Sequence, residues 1–146
     1  MSATNAFETA LLALIFNNTD LANVGDAAGL QNSAAAGSFY ISLHTADPGE
    51  GGSQTTSEAA YTNYARVAVA RSGAGWDVSG NTASNAAAVT FPTCGATGAT
   101  LTHFGVGSAA SGAGNLFFSG ALSASRTVSD GGTPTFAIGE LDVTAD

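Results

Sequence analysis

From Tyr64 onward the sequence is cut into short apolar runs, each closed by a cluster of Gly, Asn, Asp, Pro or Ser. That punctuation limits the fold more than any other feature. Strands are expected at Tyr64–Arg71, Gly75–Val78, Ala87–Phe91, Thr100–Val106, Leu116–Leu122, Ser125–Val128, Thr135–Ile138 and Leu141–Thr144. The breaks between them include Ser72-Gly73, Ser79-Gly80-Asn81, Pro92, Asp130-Gly131-Gly132 and Pro134. Inside the runs the period is two. Val67 and Val69 alternate with Ala68 and Ala70, Leu141 and Val143 alternate with Asp142 and Thr144, and Ala87, Val89 and Phe91 share a face. Many short strands separated by turn signals predict an all-β chain, built as a β-sandwich or jelly-roll-like fold. A length of 146 residues fits a single domain spanning 1–146. No fixed-period repeat marks a solenoid or propeller.

Upstream, the apolar run Ser38–His44 predicts one more strand. It ends in the turn Thr45-Ala46-Asp47-Pro48-Gly49, where Asp suits the first position, Pro presets φ and Gly supplies a positive φ. The loop that follows, up to Thr62, is far longer than a hairpin needs, and such loops tend to be functional or mobile. Tyr61 and Tyr64 bracket its return point. Near the amino end, Asn5-Ala6-Phe7-Glu8 fits a capping box, with Asn5 as N-cap and Glu8 reaching back. Phe7, Leu11, Leu14 and Ile15 recur at helical spacing and Asn17-Asn18 provides a stop, so a short helix over about 5–17 is expected. Such a helix either closes one end of the β core or docks on a neighbouring subunit. Residues 19–37 read as loop, and Met1–Thr4 as a loose arm.

Composition narrows the function. Charged residues are 10% of the chain, against roughly 25% in ordinary soluble domains. The net charge is −8, lysine is absent, and the cations are Arg66, Arg71 and Arg126. Nucleic-acid binding needs several Lys or Arg contacts to phosphate, and attraction to an anionic membrane needs a basic patch, so neither partner is expected. A P-loop lysine, a Schiff base and a Ser-Lys dyad are excluded outright. Cys94 stands alone, so no internal disulfide can form, and it reads as a small buried thiol. The apolar run Ala10–Phe16 is too short to span a bilayer, and with Glu8 before it and no Lys or Arg it does not read as a signal peptide.

The search for chemistry returns little. Asp47 and Glu50 form the one tight acidic pair among the expected loops, and a turn former beside a solvated loop charge explains it. His44 and His103 match no local ligand spacing and read as hydrogen-bonded structural histidines. Ser108 lies in Gly107-Ser108-Ala109, which is not a nucleophile elbow. Gly105-Val106-Gly107 has no helix after it to form a phosphate site. Trp76 reads as a core plug or, alternatively, an exposed contact residue. Arg66 and Arg71 are expected to find carboxylates on an adjacent strand or subunit. No metal, cofactor or catalytic residue is therefore expected.

The stretches LHTADPGEGGSQTTSEAAYTNYARVAVAR (Leu43–Arg71), GNTASNAAAVTFPTC (Gly80–Cys94), THFGVG (Thr102–Gly107) and GNLFFSGAL (Gly114–Leu122) carry a resemblance. The chain is similar, from Phe7 to Ala145, to a family of small tailed-bacteriophage virion proteins often labelled tail fibre proteins. The resemblance implies a structural role in a virion assembled in the bacterial cytoplasm, with no catalytic residues to carry over. A compact chain without a coiled-coil or β-helical shaft favours a capsid decoration or cement protein that stabilises the shell. The alternative is a tail or tail-fibre component, which could bind carbohydrate or a receptor through Trp76, Tyr61 and Tyr64. The expected partners are the major capsid protein or other virion proteins, with the chain itself a homo-oligomer. Contacts are expected through strand edges, the N-terminal segment and the Asp47–Thr62 loop. The candidate interface residues are Phe7, Leu11, Leu14, Asp47, Glu50, Tyr61, Tyr64 and Trp76.

Overall fold

The structure is a computed structural model that describes residues 2–145. The chain forms two compact units, each assembled from separated stretches. The first comprises Met1–Ser38, Ala70–Val89 and Phe136–Asp146, and the second Phe39–Val69 and Thr90–Thr135.

The first unit contains the helix α1 (Asn5–Asn17) and the strands β3 (Trp76–Ser79), β4 (Thr82–Asn85) and β9 (Asp142–Thr144). Helix α1 begins one residue earlier than the capping box implies. Thr4 is the N-cap, with extended backbone, and its carbonyl accepts the Phe7 and Glu8 N–H groups at 2.9 and 3.0 Å. Glu8 does not reach back; it sits on the buried face with Leu12 and Phe16. The helix ends where expected. Asn18 takes a left-handed conformation (φ 53°), which Asn tolerates better than most residues, and the Thr19 N–H returns to the Ala13 carbonyl.

The buried face of α1 packs on β3 and β4. These strands and β9 form an antiparallel three-stranded sheet in the order β3-β4-β9. The β3–β4 hairpin closes through Gly80-Asn81, with Ser79 opposite Thr82 and Gly80 at φ +59°. A two-residue hairpin loop of this kind requires a positive φ at its first position, which Gly supplies without strain. Fully buried Trp76 plugs this unit, its ring 4.6 Å from Phe16, with Ala83, Leu141 and Val143 also buried. Asn85 is buried too, and is satisfied. Its Nδ2 donates to the Ala87 and Ala137 carbonyls, and its Oδ1 accepts from the Leu141 N–H.

The second unit is built on a four-stranded antiparallel sheet in the order β2-β1-β6-β7: β1 (Ser38–His44), β2 (Val67–Ala70), β6 (Ala99–Gly107) and β7 (Leu116–Val128). Tyr40 pairs with Gly107 and His44 with His103 along β1–β6. Along β6–β7 the register slips. Leu101 pairs with Arg126 and His103 with Ala121, so Leu122–Ser125 bulge out opposite Thr102. The core includes Phe39, Ile41, Leu43, Tyr61, Phe91, Leu101 and Val106. Two-residue strands β5 (Val89–Thr90) and β8 (Thr135–Phe136) pair separately.

The expected β-sandwich or jelly roll is therefore wrong. The described residues form three open sheets of four, three and two strands, none closed on itself. The reason is physical. Most strands are two to four residues long, and Ala, Gly and Ser stand where Val or Ile would extend a ladder. Beside the four-stranded sheet, an irregular strap over residues 45–66 does the packing that a second sheet would otherwise do. Its Gln54 side chain lies so close to Gly107 that a Cβ there would overlap it, and Gly105 leaves comparable room for Ser42, His44 and Leu116.

Candidate functional site

The strap is the part of the second unit most unlike a loop waiting for a ligand. His44 is fully buried, with Nδ1 2.8 Å from the Thr56 carbonyl and Nε2 2.8 Å from Ser42 Oγ. A carbonyl only accepts, so Nδ1 carries the proton and Nε2 accepts from the Ser42 hydroxyl. Burial holds this imidazole below its ordinary pKa, which keeps it neutral. Gln54, also fully buried, donates to the Tyr40 carbonyl at 3.3 Å and accepts the Ala109 N–H at 2.9 Å.

At the far end of the strap, Arg66 and Glu58 meet side by side, Nε to Oε1 at 2.6 Å and Nη2 to Oε2 at 2.8 Å. Two further guanidinium hydrogens go to the Ala109 and Gly112 carbonyls at 2.8 Å each. Only 2% of the Arg66 side chain is exposed. The hydrogen bonds to Glu58 raise the guanidinium pKa further, so Arg66 stays charged. Tyr64 completes the knot: its hydroxyl donates to Glu58 Oε1 at 3.0 Å and accepts the Leu43 N–H at 3.0 Å. Burial pushes the Tyr64 phenol well above its ordinary pKa and that of Tyr61 up to about 12.

Ser42, His44 and the Thr56 carbonyl repeat the hydrogen-bond pattern of a serine nucleophile, a base and an orienting group. Both side chains are at 0% exposure, and Gly105 backs directly onto them. No substrate carbonyl could approach Ser42 Oγ, so the trio is a packing device. Among the described residues no group of three or more His, Cys, Asp or Glu could hold a metal ion. No helix among them is long and apolar enough to cross a membrane.

The expected interface residues fall into three groups. Asp47 and Glu50 are exposed, and Asp47 Oδ1 accepts the Gly49 N–H at 2.8 Å, as a turn former does. Trp76 and Tyr61 are buried, at 0% and 2% exposure, and Tyr64 is half-buried. Tyr64 lies 5.3 Å from the Tyr61 ring and stacks on Phe91 at 6.3 Å. Trp76 and Tyr61 therefore present no open ring face to a sugar.

Phe7, Leu11 and Leu14 form the third group, on α1 in the first unit. The helix buries Glu8, Leu12 and Phe16 on one stripe, yet its opposite side is also apolar. Phe7 is 44% exposed, and Leu11 and Leu14 are half-buried. A surface helix of a globular protein ordinarily carries polar residues on that side. The helix is held by Arg71, which donates to the Leu14 and Ile15 carbonyls at 2.9 and 2.6 Å and to the Ala36 carbonyl at 3.0 Å. Arg71 thus meets the negative end of a helix. Sequence reasoning missed this, because a carbonyl cap leaves no mark on side-chain composition.

A family model described as Podophage GP4 fiber I protein gp80 matches residues 2–144. A search of curated proteins found no match.

Proposed function

The chain belongs to the Podophage GP4 fiber I protein gp80 family and is a phage virion structural protein, and we propose that its place is the tail fibre. The observation that carries this reading is the family match over residues 2–144, whose description is that of a fiber protein. The geometry agrees. The polar groups with catalytic potential are locked inward, while the apolar outer side of α1 is offered outward. A protein of this kind acts by fitting against other virion proteins, with Phe7, Leu11 and Leu14 as contact residues of the first unit and, separately, exposed Asp47 and Glu50 as contact residues of the second. The shell-cement reading draws on the lack of a coiled-coil or β-helical shaft and on the apolar N-terminal helix, but no family description supports it.

Localising the protein on intact particles tests the proposal. Gold-labelled antibody should decorate the tail fibres. Particles made without the protein should keep heat- and osmotically-resistant heads while losing adsorption. Label over the head, with heads that burst on osmotic shock, would instead make it a capsid decoration protein bound to the major capsid protein.

A further inference from the structure

We infer that the turn Ala137-Ile138-Gly139-Glu140 of the first unit is a docking knob for a different virion protein, one that offers an apolar socket bordered by Arg or Lys. This rests on the reading of the chain as a virion structural protein and names the chemistry of one partner. Ile138 is 69% exposed, more than any other large apolar side chain among the described residues. The turn itself gives no reason for that residue. The Glu140 N–H returns to the Ala137 carbonyl at 3.2 Å, and Gly139 takes the third position at φ +74°, as in a type II turn. Ile138 fills the second position, where proline is favoured and where an isoleucine buries little. The turn is also held firmly. Buried Asn85 grips it at three points: Nδ2 donates to the Ala137 carbonyl at 2.8 Å, the Asn85 carbonyl accepts the Gly139 N–H at 2.9 Å, and Oδ1 accepts the Leu141 N–H at 2.9 Å. Glu140 Oε2 accepts the Ala137 N–H at 2.8 Å. An apolar side chain on so fixed a mount has little backbone freedom left to lose on binding, as an interface anchor requires.

Charge identifies the occupant. Glu140 and Asp142 are exposed while Leu141 and Val143 are buried, so two carboxylates face outward next to the knob. A socket with a cationic border complements that pair, and an acidic border is repelled by it. A second copy cannot supply the cations. Arg66 is engaged by Glu58 and two carbonyls, and Arg71 by the Leu14, Ile15 and Ala36 carbonyls. That leaves Arg126 as the one exposed cation among the described residues, on a chain of net charge −8. One arginine does not border a socket, so the partner is another protein.

The test is to assemble particles in cells that supply the full chain only as a variant, and to count copies per particle by quantitative immunoblot. Ile138→Ser should lower the count at least about tenfold while thermal melting of the purified chain stays unchanged, and Ile138→Val should keep most of it. Asp142→Lys should lower the count too, whereas Asp130→Lys, an exposed control in the second unit, should not. A wild-type count for Ile138→Ser, or for Asp142→Lys, would overturn the inference. So would a fall in the sedimentation-equilibrium mass of the purified chain with Ile138→Ser, because the occupant would then be a second copy. Wild-type chain absent from particles would sink the structural reading along with the inference. Wild-type chain present on the particle but indifferent to Ile138→Ser leaves that reading standing, and the knob alone fails.

Discussion

Arg66 shows how much one side chain can hold in a chain with three cations. It joins Glu58 from the strap to the Ala109 and Gly112 carbonyls of the β6–β7 connection. Arg66→Ala leaves Glu58 facing a largely dry site without its partner, which should cost about 3 kcal/mol in a urea titration. A loss under about 1 kcal/mol would mean the pair is a surface ornament. His44 gives a second residue-level outcome. Its folded pKa lies below the ordinary 6.5, so below that pH the unfolded chain binds a proton that the folded chain refuses. Stability should therefore be fully present above 6.5 and fall as pH drops through the lower folded value. Urea midpoints at about pH 7.5 and about pH 5.5 should differ for the wild type and differ less for His44→Gln. At this scale the sequence was legible in kind but not in partner. His44 and His103 as hydrogen-bonded histidines and Cys94 as a buried thiol could be read from residue type, whereas Trp76 stayed open between a plug and an exposed contact until the structure buried it. That Arg71 holds helix carbonyls could not, because the contact joins residues more than fifty apart.

Among the elements, β1 spans the residues its apolar run announces, and α1 differs from expectation only at its cap. The strand β4 was missed because Ala83 is its one apolar residue; the Gly80-Asn81 turn was the signal that could have revealed it. The run Leu116–Val128 reads as two strands in the sequence, and the bulge at Leu122–Ser125 divides the single long strand where that reading breaks. The strap reads as a loop, correctly, but its tight packing depends on distant partners such as Tyr40 and Ala109 for Gln54. Gly107→Ala tests that packing. The added methyl must displace Gln54, so the variant should lose about 1–3 kcal/mol in the same titration. If it melts like the wild type, Gln54 is not the wedge described here. Asn18→Val should also lower the melting temperature, since a β-branched residue resists the left-handed turn that ends α1.

For the whole molecule, the all-β class and the helix were legible, but the closed two-sheet architecture was not the outcome. Period-two patterning says that strands exist; which sheet each joins depends on pairings such as Ser84 with Asp142 and Gly105 with Ser119, which no local pattern encodes. The resemblance to small tailed-phage virion proteins is borne out by the family match, and the fibre alternative gains from it over the shell. The bulge in β7 has a further consequence at this scale. β7 is an outermost strand of its sheet, and a straight thirteen-residue border would invite any passing backbone to zip on. Broken midway, it gives an intruder only short footholds. Neighbouring proteins in a virion can then lie against it without adding strands to its sheet.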